Sequence, residues 1–205
     1  MATTDGFEVA LKFVLRWEGG FVDHPNDPGG RTNRGVTQTV YDAWRARQRL
    51  PKLDVKQIGD HEVAAIYHGD YWLPSGCEAL ADQLALVQFD TAVNMGTKRA
   101  IRLLQGCAGC GVDGSFGPAT LGAVGTCDSG TLLKNYCVQR EATYRRLAAK
   151  NPKLSVFLNG WLNRLNALRQ EVGLPGFETL NPGGDSDADY TARIPDLGEH
   201  PEYDE

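Results

Sequence analysis

Three polar residues near the N-terminus have a spacing that could support acid–base chemistry. Glu18 follows an apolar stretch, Asp27 comes nine residues later, and Thr32 lies five residues beyond Asp27. Cleaving a glycosidic bond needs an acid on the leaving oxygen and a second group that stabilises the oxocarbenium-like centre or activates water. Glu18 could be the acid, Asp27 the second carboxylate, and Thr32 the residue that holds the water. Asp23 competes with Asp27 for the second role and is also a candidate substrate contact, although either aspartate could simply form a turn.

The position of Glu18 favours the role of an acid. It follows Val14 and Leu15 by four and three residues, so a helix would place it on their apolar face. It would also lie at the helix C-terminus, where the macrodipole disfavours a negative charge. Burial and the dipole therefore both favour the protonated carboxyl that a general acid needs. The alternative is a helix-terminal glutamate that points into solvent.

The rest of the chain has the pattern of a helical protein. A first helix begins near Asp5 and ends at Gly19, and the segment from Phe21 to Gly35 is too rich in Gly, Pro, Asn and Asp to be helical. A short helix has Pro118 in its first turn. Further helices are predicted over 37–49, 60–71, 80–95, 98–105, 129–149 and 154–172. We therefore predict a mainly α fold with an irregular loop or small hairpin after the first helix.

The stretch EGGFVDHPNDPGGRTNRGVT, residues 18–37, resembles the signature of glycoside hydrolase family 108. These N-acetylmuramidases carry Glu-Gly-Gly-Tyr followed by Asp-Pro-Gly-Gly-x-Thr-x-x-Gly, and the spacing also resembles that of phage-type lysozymes and endolysins. The resemblance implies a lysozyme-like, two-lobed helical fold that cleaves the β-1,4 bond between N-acetylmuramic acid and N-acetylglucosamine. It places the catalytic glutamate at Glu18. Phe21 replaces the usual tyrosine and lacks its hydroxyl group.

The resemblance continues downstream. YHGDYW at 67–72 and FDTAVNMGTKRAIRLLQ at 89–105 resemble the following helices of the same proteins. VDGSFGPATLGAV and FLNGWLNRL are similar to the predicted peptidoglycan-domain module that is usually joined to this catalytic half. We therefore expect a catalytic lobe at 1–88, a peptidoglycan-binding-like lobe at 89–175 and a disordered acidic tail at 176–205.

Five further residues are candidates for contact with substrate. Tyr71 and Trp72 could stack on sugar rings, although a Trp at a helix end more often packs in a core. Asp90 and Asn94 are four residues apart on one helix face, so they could bind N-acetyl groups or each other. Asn33 follows Thr32 in the irregular loop.

The charge distribution favours a polyanionic partner. The net charge is −5, but residues 98–169 contain 11 Lys and Arg against 3 Asp and Glu, and residues 185–205 contain eight acidic residues and one arginine. A basic half suits cell wall or nucleic acid. Because no groove-reading motif is present, we expect peptidoglycan as the partner and no nucleic acid.

The cysteines favour a reducing site of synthesis. An odd number of them, without a signal peptide, indicates reduced thiols in a cytoplasmic product; they are Cys77, Cys107, Cys110, Cys127 and Cys137. Cys107 and Cys110 could form half of a zinc site or a redox pair, but a second close pair is missing. We predict no metal and no cofactor.

The apolar runs are shorter than the ~20 residues that span a bilayer, so we expect no stable membrane insertion. Charged residues interrupt the N-terminal apolar stretch, so it does not have the pattern of a signal peptide. We expect a monomer made in the cytoplasm that acts on the cell wall, in the periplasm, after release. A holin-type export route and an immunity or inhibitor protein are open as partners.

Other functions remain open from sequence. A lytic transglycosylase would need only the acid and would form anhydro-muramic ends. Chitinase-like activity would act on the same type of bond. A catalytically inactive, wall-binding phage structural protein would keep the fold without the chemistry.

Overall fold

The computed structural model of the chain describes residues 4–23 and 30–176. Asp27 and the acidic tail from residue 177 onwards lie outside the described residues. The predictions made for them therefore stay predictions.

The described residues form a mainly helical fold with one small sheet. The helices are α1 (Thr4–Leu15), α2 (Gln38–Arg47), α3 (Asp60–Tyr67), α4 (Asp82–Met95), α5 (Thr97–Ala108), α6 (Pro118–Thr126), α7 (Ser129–Lys150) and α8 (Leu158–Glu171). The sheet is an antiparallel hairpin of β1 (Thr32–Asn33) and β2 (Val36–Thr37). Three 3-10 helices, Val55–Gln57, Cys77–Ala79 and Pro152–Phe157, and a π-helical turn, His68–Trp72, complete the described structure. The predicted mainly α architecture, with a small hairpin after the first helix, is confirmed.

Helix α1 forms because its apolar residues recur at helical spacing and cover one face. Ala10, Phe13 and Val14 are at most 1% exposed, and α1 packs against α4. The ring of Phe7 meets the edges of Trp72 and Phe89, with centroids 5.3 and 5.8 Å apart. Helix α1 is thus part of the core, and it carries the chain directly to Glu18.

Helix α4 is the central element of the fold. Every residue from Leu84 to Met95 is buried, including the polar Asp90 and Asn94. A helix that is buried on all sides must be covered by several neighbours, and α4 packs against α1, α5 and α7. The lobe boundary predicted between residues 88 and 89 therefore falls inside one continuous helix.

The C-terminal half packs its helices around the other side of α4. Helix α7 contacts α4, α5 and α8. Trp161 of α8 is 2% exposed and stacks on Tyr144 of α7 at a centroid distance of 5.3 Å. Trp161 is thus part of the core.

The turn between α5 and α6 is organised by the buried side chain of Gln105. Its amide nitrogen donates to Asp113 Oδ1 at 2.8 Å, to the carbonyl of Ser115 at 3.1 Å and to Thr120 Oγ1 at 3.0 Å. Its amide oxygen accepts from the backbone nitrogens of Asp113 and Gly114 at 3.0 and 2.9 Å. The turn thereby has a defined conformation.

Several helix boundaries differ from the predicted ones, and two of the differences have a local cause. Helix α1 ends at Leu15, and two i→i+3 bonds, from Arg16 to Phe13 and from Trp17 to Val14, tighten the chain before Glu18. The helix predicted from residue 154 begins at Leu158, after a 3-10 helix with Pro152 in its first turn. Within the described residues, no helix is both long enough and apolar enough to cross a bilayer.

Candidate active site

Glu18 lies at the junction of the two halves. It stands three residues beyond the end of α1, and its side chain is only 2% exposed. The expected inward orientation is therefore observed, although a short turn rather than a continuing helix produces it. The opposite possibility, a glutamate that points into solvent, does not hold.

A guanidinium group from the C-terminal half meets the carboxyl group of Glu18. Arg164 of α8 donates from Nη1 to Glu18 Oε1 at 3.1 Å, and its own side chain is 3% exposed. The two residues are 146 positions apart in the chain. Because the cation is buried with the carboxyl, the pair is poorly screened by water and salt.

Arg164 is held in turn by Asp90 of α4. Asp90 Oδ1 lies 2.8 Å from both Nε and Nη2 of Arg164, and Oδ2 lies 2.7 Å from Nη2 of Arg140 on α7. Burial alone would raise the pKa of Asp90, but the two guanidinium groups hold it below its ordinary value. Burial likewise opposes the charge on Arg164, yet Asp90 and Glu18 raise its pKa. The charges of Asp90 and Arg164 therefore persist in the interior.

The β hairpin is attached directly to the segment that follows Glu18. The backbone nitrogen of Arg34 donates to the carbonyl of Gly19 at 3.1 Å, and Val22 and Thr32 exchange bonds of 2.8 and 3.0 Å. The turn residues Arg34 and Gly35 have φ values of 50° and 73°, the left-handed pair that a tight two-residue hairpin needs. These bonds also connect Val22 and Thr32, which bracket the segment that contains Asp27.

Thr32 and Asn33 have distinct hydrogen-bonding roles in the hairpin. The Thr32 hydroxyl is half-buried and donates to the carbonyl of Gly30 at 3.1 Å, so its lone pairs can accept from a water molecule. Asn33 is buried, and its amide nitrogen donates to the carbonyls of Val55 and Lys56 at 3.1 and 3.3 Å. Asn33 thus joins the hairpin to the 3-10 helix beside it.

Asp23 and Phe21 lie on the outer side of the same segment. Asp23 is exposed and pairs with Arg31 at 3.2 Å, while Arg31 also reaches Asp54 at 2.8 Å. The guanidinium group of Arg31 and the ammonium group of Lys56 lie 5.6 and 5.3 Å from the centroid of the Phe21 ring. Two cations thus pack against the Phe21 ring, and neither contact requires the hydroxyl group of a tyrosine.

The other candidate substrate contacts divide between surface and core. Tyr71 is half-buried, with its ring 5.6 Å from that of Tyr67, whose hydroxyl donates to the carbonyl of Arg34 in the hairpin turn. Trp72 is 1% exposed, and Asn94 is 2% exposed and accepts from the hydroxyl of Tyr144 at 2.6 Å. The burial of Trp72, Asn94 and Asp90 argues against their direct contact with a sugar.

Arg164 is the residue of this site that sequence reasoning missed. The sequence feature that could have identified it is its position in the apolar stripe of α8. That stripe also contains Trp161, Leu165 and Leu168, all at most 2% exposed. An arginine in such a stripe must find a buried anion, because an unpaired buried charge is very unfavourable.

Comparison with known proteins agrees with this arrangement. The model of the family described as glycosyl hydrolase 108 matches residues 11–96, and that of the predicted peptidoglycan domain matches residues 99–166. The structure of Brucella abortus SagA is similar, with 31% sequence identity and a TM-score of 0.70; the match covers 83% of this chain and 95% of that chain. The search of curated proteins found no match.

The two matched regions meet between residues 96 and 99, at the end of α4 rather than in its middle. Glu18 and the hairpin belong to the first region, and Arg164 to the second. The lysozyme-like helical fold and the enzymatic class expected from the motifs are confirmed. The chain belongs to the glycosyl hydrolase 108 family, and it is a peptidoglycan hydrolase of the N-acetylmuramidase type with a C-terminal peptidoglycan domain.

Proposed function

We propose that Glu18 is the general acid of this hydrolase. The observation that supports this role is a buried carboxyl at the end of α1, with Arg164 on Oε1 and the β hairpin attached to the next residue. Because Oε1 accepts from Arg164, the proton for the glycosidic oxygen is carried by Oε2. Proton transfer from a positioned acid contributes about 10²- to 10⁴-fold to such a reaction.

The second carboxylate is Asp27, and Thr32 holds the attacking water. Asp27 lies outside the described residues, so this role rests on its spacing from Glu18 and on the family motif. Thr32 supports it, since its hydroxyl already donates to Gly30 and is left to accept from water. Asp27 would then take a proton from that water as it attacks the sugar carbon.

Sugar contacts fall to residues on the surface beside the hairpin. Tyr71 is the aromatic candidate, because its half-buried ring lies beside Tyr67, which bonds to the hairpin turn. Asp23 is an exposed polar candidate. The remaining candidates are buried and support these elements by packing and hydrogen bonds; they are Asn33, Trp72, Asp90 and Asn94.

The test uses purified wall sacculi and full-length variants, with products identified by mass spectrometry. Wild type should release reducing N-acetylmuramic acid ends. Glu18→Gln should lose at least about 10²-fold in rate, whereas Glu78→Gln, the same change at an exposed glutamate, should not. Asp27→Asn should be strongly impaired, and Asp23→Asn is measured beside it because Asp23 is the competing carboxylate.

The outcomes separate the mechanisms. Full activity of Glu18→Gln would remove the proposed acid. Anhydro-muramic ends, or full activity without Asp27, would indicate a lytic transglycosylase. Loss in Asp23→Asn with normal activity in Asp27→Asn would exchange the roles of the two aspartates. Binding of wild type to sacculi without any product would indicate an inactive wall-binding protein.

We further propose that the chain acts as a monomeric, phage-type endolysin. It would be made in the cytoplasm, reach the periplasm through a holin-type membrane pore and cause bacteriolysis there. The support is the packing of α1, whose apolar face belongs to the folded core. Co-expression with a membrane-permeabilising pore should cause lysis with wild type and not with Glu18→Gln. Lysis without the pore would contradict this route.

A further inference from the structure

Four buried ionisable groups form a row that begins at the Glu18 carboxyl. In order they are Glu18, Arg164, Asp90 and Arg140, so acidic and basic groups alternate, and the row is neutral when Glu18 is a carboxylate. Each of the four side chains is at most 3% exposed. Such charges are tolerated in an interior only when every one has a partner of opposite sign.

Each ion pair in this row joins the two halves of the protein. Glu18 and Asp90 lie in the region matched by the glycosyl hydrolase 108 family, whereas Arg140 and Arg164 lie in the region matched by the peptidoglycan domain. The Glu18–Arg164, Arg164–Asp90 and Asp90–Arg140 pairs therefore all cross the junction. The two buried acidic residues of the catalytic half therefore have their basic partners in the other half.

The inner end of the row fixes the orientation of Arg140. Its Nε donates to the hydroxyl of Tyr144 at 2.8 Å, and its Nη1 donates to Thr91 Oγ1 at 3.0 Å. Asp90 is thereby held by a cation that is itself bonded to α4 and α7. A change at Asp90 would therefore alter the orientation of Arg164, without any contact between Asp90 and substrate.

The guanidinium group of Arg164 links the position of Asp90 to that of Glu18. Two of its nitrogens face Asp90, and the third, Nη1, faces Glu18. Because the group is planar and rigid, the position of Asp90 on α4 determines where Nη1 meets the glutamate. A lysine ammonium carries the same charge but is a point charge, so it cannot impose the same plane on both carboxyls.

Glu18 needs such support because it lies beyond the end of α1. The hydrogen bonds of that helix end at Leu15 and are followed by a turn, so regular backbone structure does not hold the catalytic side chain. Buried ion pairs stabilise a fold little compared with apolar residues of the same volume. Precise placement of a reacting group, by contrast, has a large effect on rate.

We propose that Arg164 is a positioning residue for Glu18, held by Asp90 and Arg140, so that the peptidoglycan domain is part of the catalytic apparatus. This inference rests on the proposed role of Glu18 as the acid. When Oε2 gives its proton to the glycosidic oxygen and the bond from that oxygen to the sugar carbon breaks, Glu18 becomes a carboxylate. Arg164 stabilises this new negative charge as well as orienting the group.

The experiment compares full-length Arg164→Lys with Arg169→Lys. Arg169 is a second buried arginine of α8, but its Nε donates to the carbonyl of Pro175. With soluble glycan-chain fragments as substrate, Arg164→Lys should lower kcat about 10- to 100-fold and leave KM within about twofold, since a misplacement near 1 Å can lower the rate about 10²-fold. Arg169→Lys should change kcat by less than about twofold, because the Arg169 Nε is bonded to the carbonyl of Pro175.

A double variant separates positioning from a general structural effect. In the Glu18→Gln background, Arg164→Lys should cause no further loss, because there is no acid left to position. An equal loss in both backgrounds would overturn the proposal. Wild-type kcat in Arg164→Lys, with Glu18→Gln inactive, would also overturn it while leaving the role of Glu18 intact. Full activity of Glu18→Gln would overturn both.

Asp90→Asn provides a second test that does not alter the arginine. Circular dichroism and thermal unfolding establish which variants are folded. If Arg164→Lys does not fold, Asp90→Asn decides, since it keeps the side-chain shape and leaves Arg164 in place while it weakens the ion pairs of Asp90 with Arg164 and Arg140. A folded Asp90→Asn protein with the wild-type kcat would contradict the proposal, and a lower kcat with unchanged KM would support it.

Discussion

Gly76 is a point at which the catalytic half touches the turn between α5 and α6, and alanine there should weaken the junction. Its φ is +74°, in the region that L-residues with a Cβ avoid. A Cβ built on Gly76 lies within 2.5 Å of three ring carbons of Phe116, including Cγ. Because Cγ is the ring atom nearest the backbone, the whole ring must move to make room.

The cost has two parts that can be separated. A left-handed conformation costs a residue with a Cβ about 1–2 kcal/mol. Overpacking against the Phe116 ring adds about 1–3 kcal/mol. Gly76→Ala should therefore lower the free energy of unfolding by about 2–5 kcal/mol. Gly109→Ala is the matched control, because its φ is +71° and its Cβ would meet nothing within 4 Å; it should cost only about 1–2 kcal/mol.

The assay is chemical denaturation followed by tryptophan fluorescence, with each alanine placed in the wild-type and the Phe116→Ala backgrounds. Without the ring, the extra cost of Gly76→Ala should disappear and the two glycine positions should become equivalent. Equal costs at both positions in the wild-type background would refute the steric reasoning. An excess at Gly76 that persists without Phe116 would show that another contact is responsible.

Three further predictions concern the interior. Gln105→Leu should lower the free energy of unfolding by about 3 kcal/mol, because it removes the partner of buried polar groups in the α5–α6 turn; chemical denaturation measures it. Burial raises the pKa of Cys77 to about 12. An iodoacetamide pulse at pH 8, followed by peptide mass mapping, should therefore label half-buried Cys110 before Cys77. Labelling of Cys77 before Cys110 would contradict this burial. Although burial alone would raise the pKa of Asp90, two arginines hold it below its ordinary value. Its contribution to stability is therefore present above about pH 4 and is lost as the pH falls through the folded-state pKa, so the deficit of Asp90→Asn in denaturation should shrink in acid.

Much of the secondary structure could be predicted because its determinants are local. The helix predicted at 129–149 is observed as Ser129–Lys150, and its first turn is capped by Asp128, which accepts from the nitrogen of Thr131 at 2.9 Å. Pro118 begins α6 as expected. Apolar periodicity and caps act within a few residues, so sequence alone carries them.

The contacts of Asp90 and Asn94 were harder to predict for a non-local reason. Their spacing suggested a contact with substrate or with each other, yet they bind Arg140, Arg164 and Tyr144 from other helices. A sequence pattern shows which face of a helix two residues share. It does not show what covers that face, and α4 is covered on every side.

The order of the helices and the motif around Glu18, and with it the family and the class of reaction, follow from the sequence alone. They do so through local periodicity and through a run of about twenty residues with specific spacing. The contact between Glu18 and Arg164, which are 146 positions apart in the chain, could be found only from the folded structure. That contact depends on how α1, α4 and α8 pack together, because a buried charge takes its partner from whichever helix the shared core brings within reach.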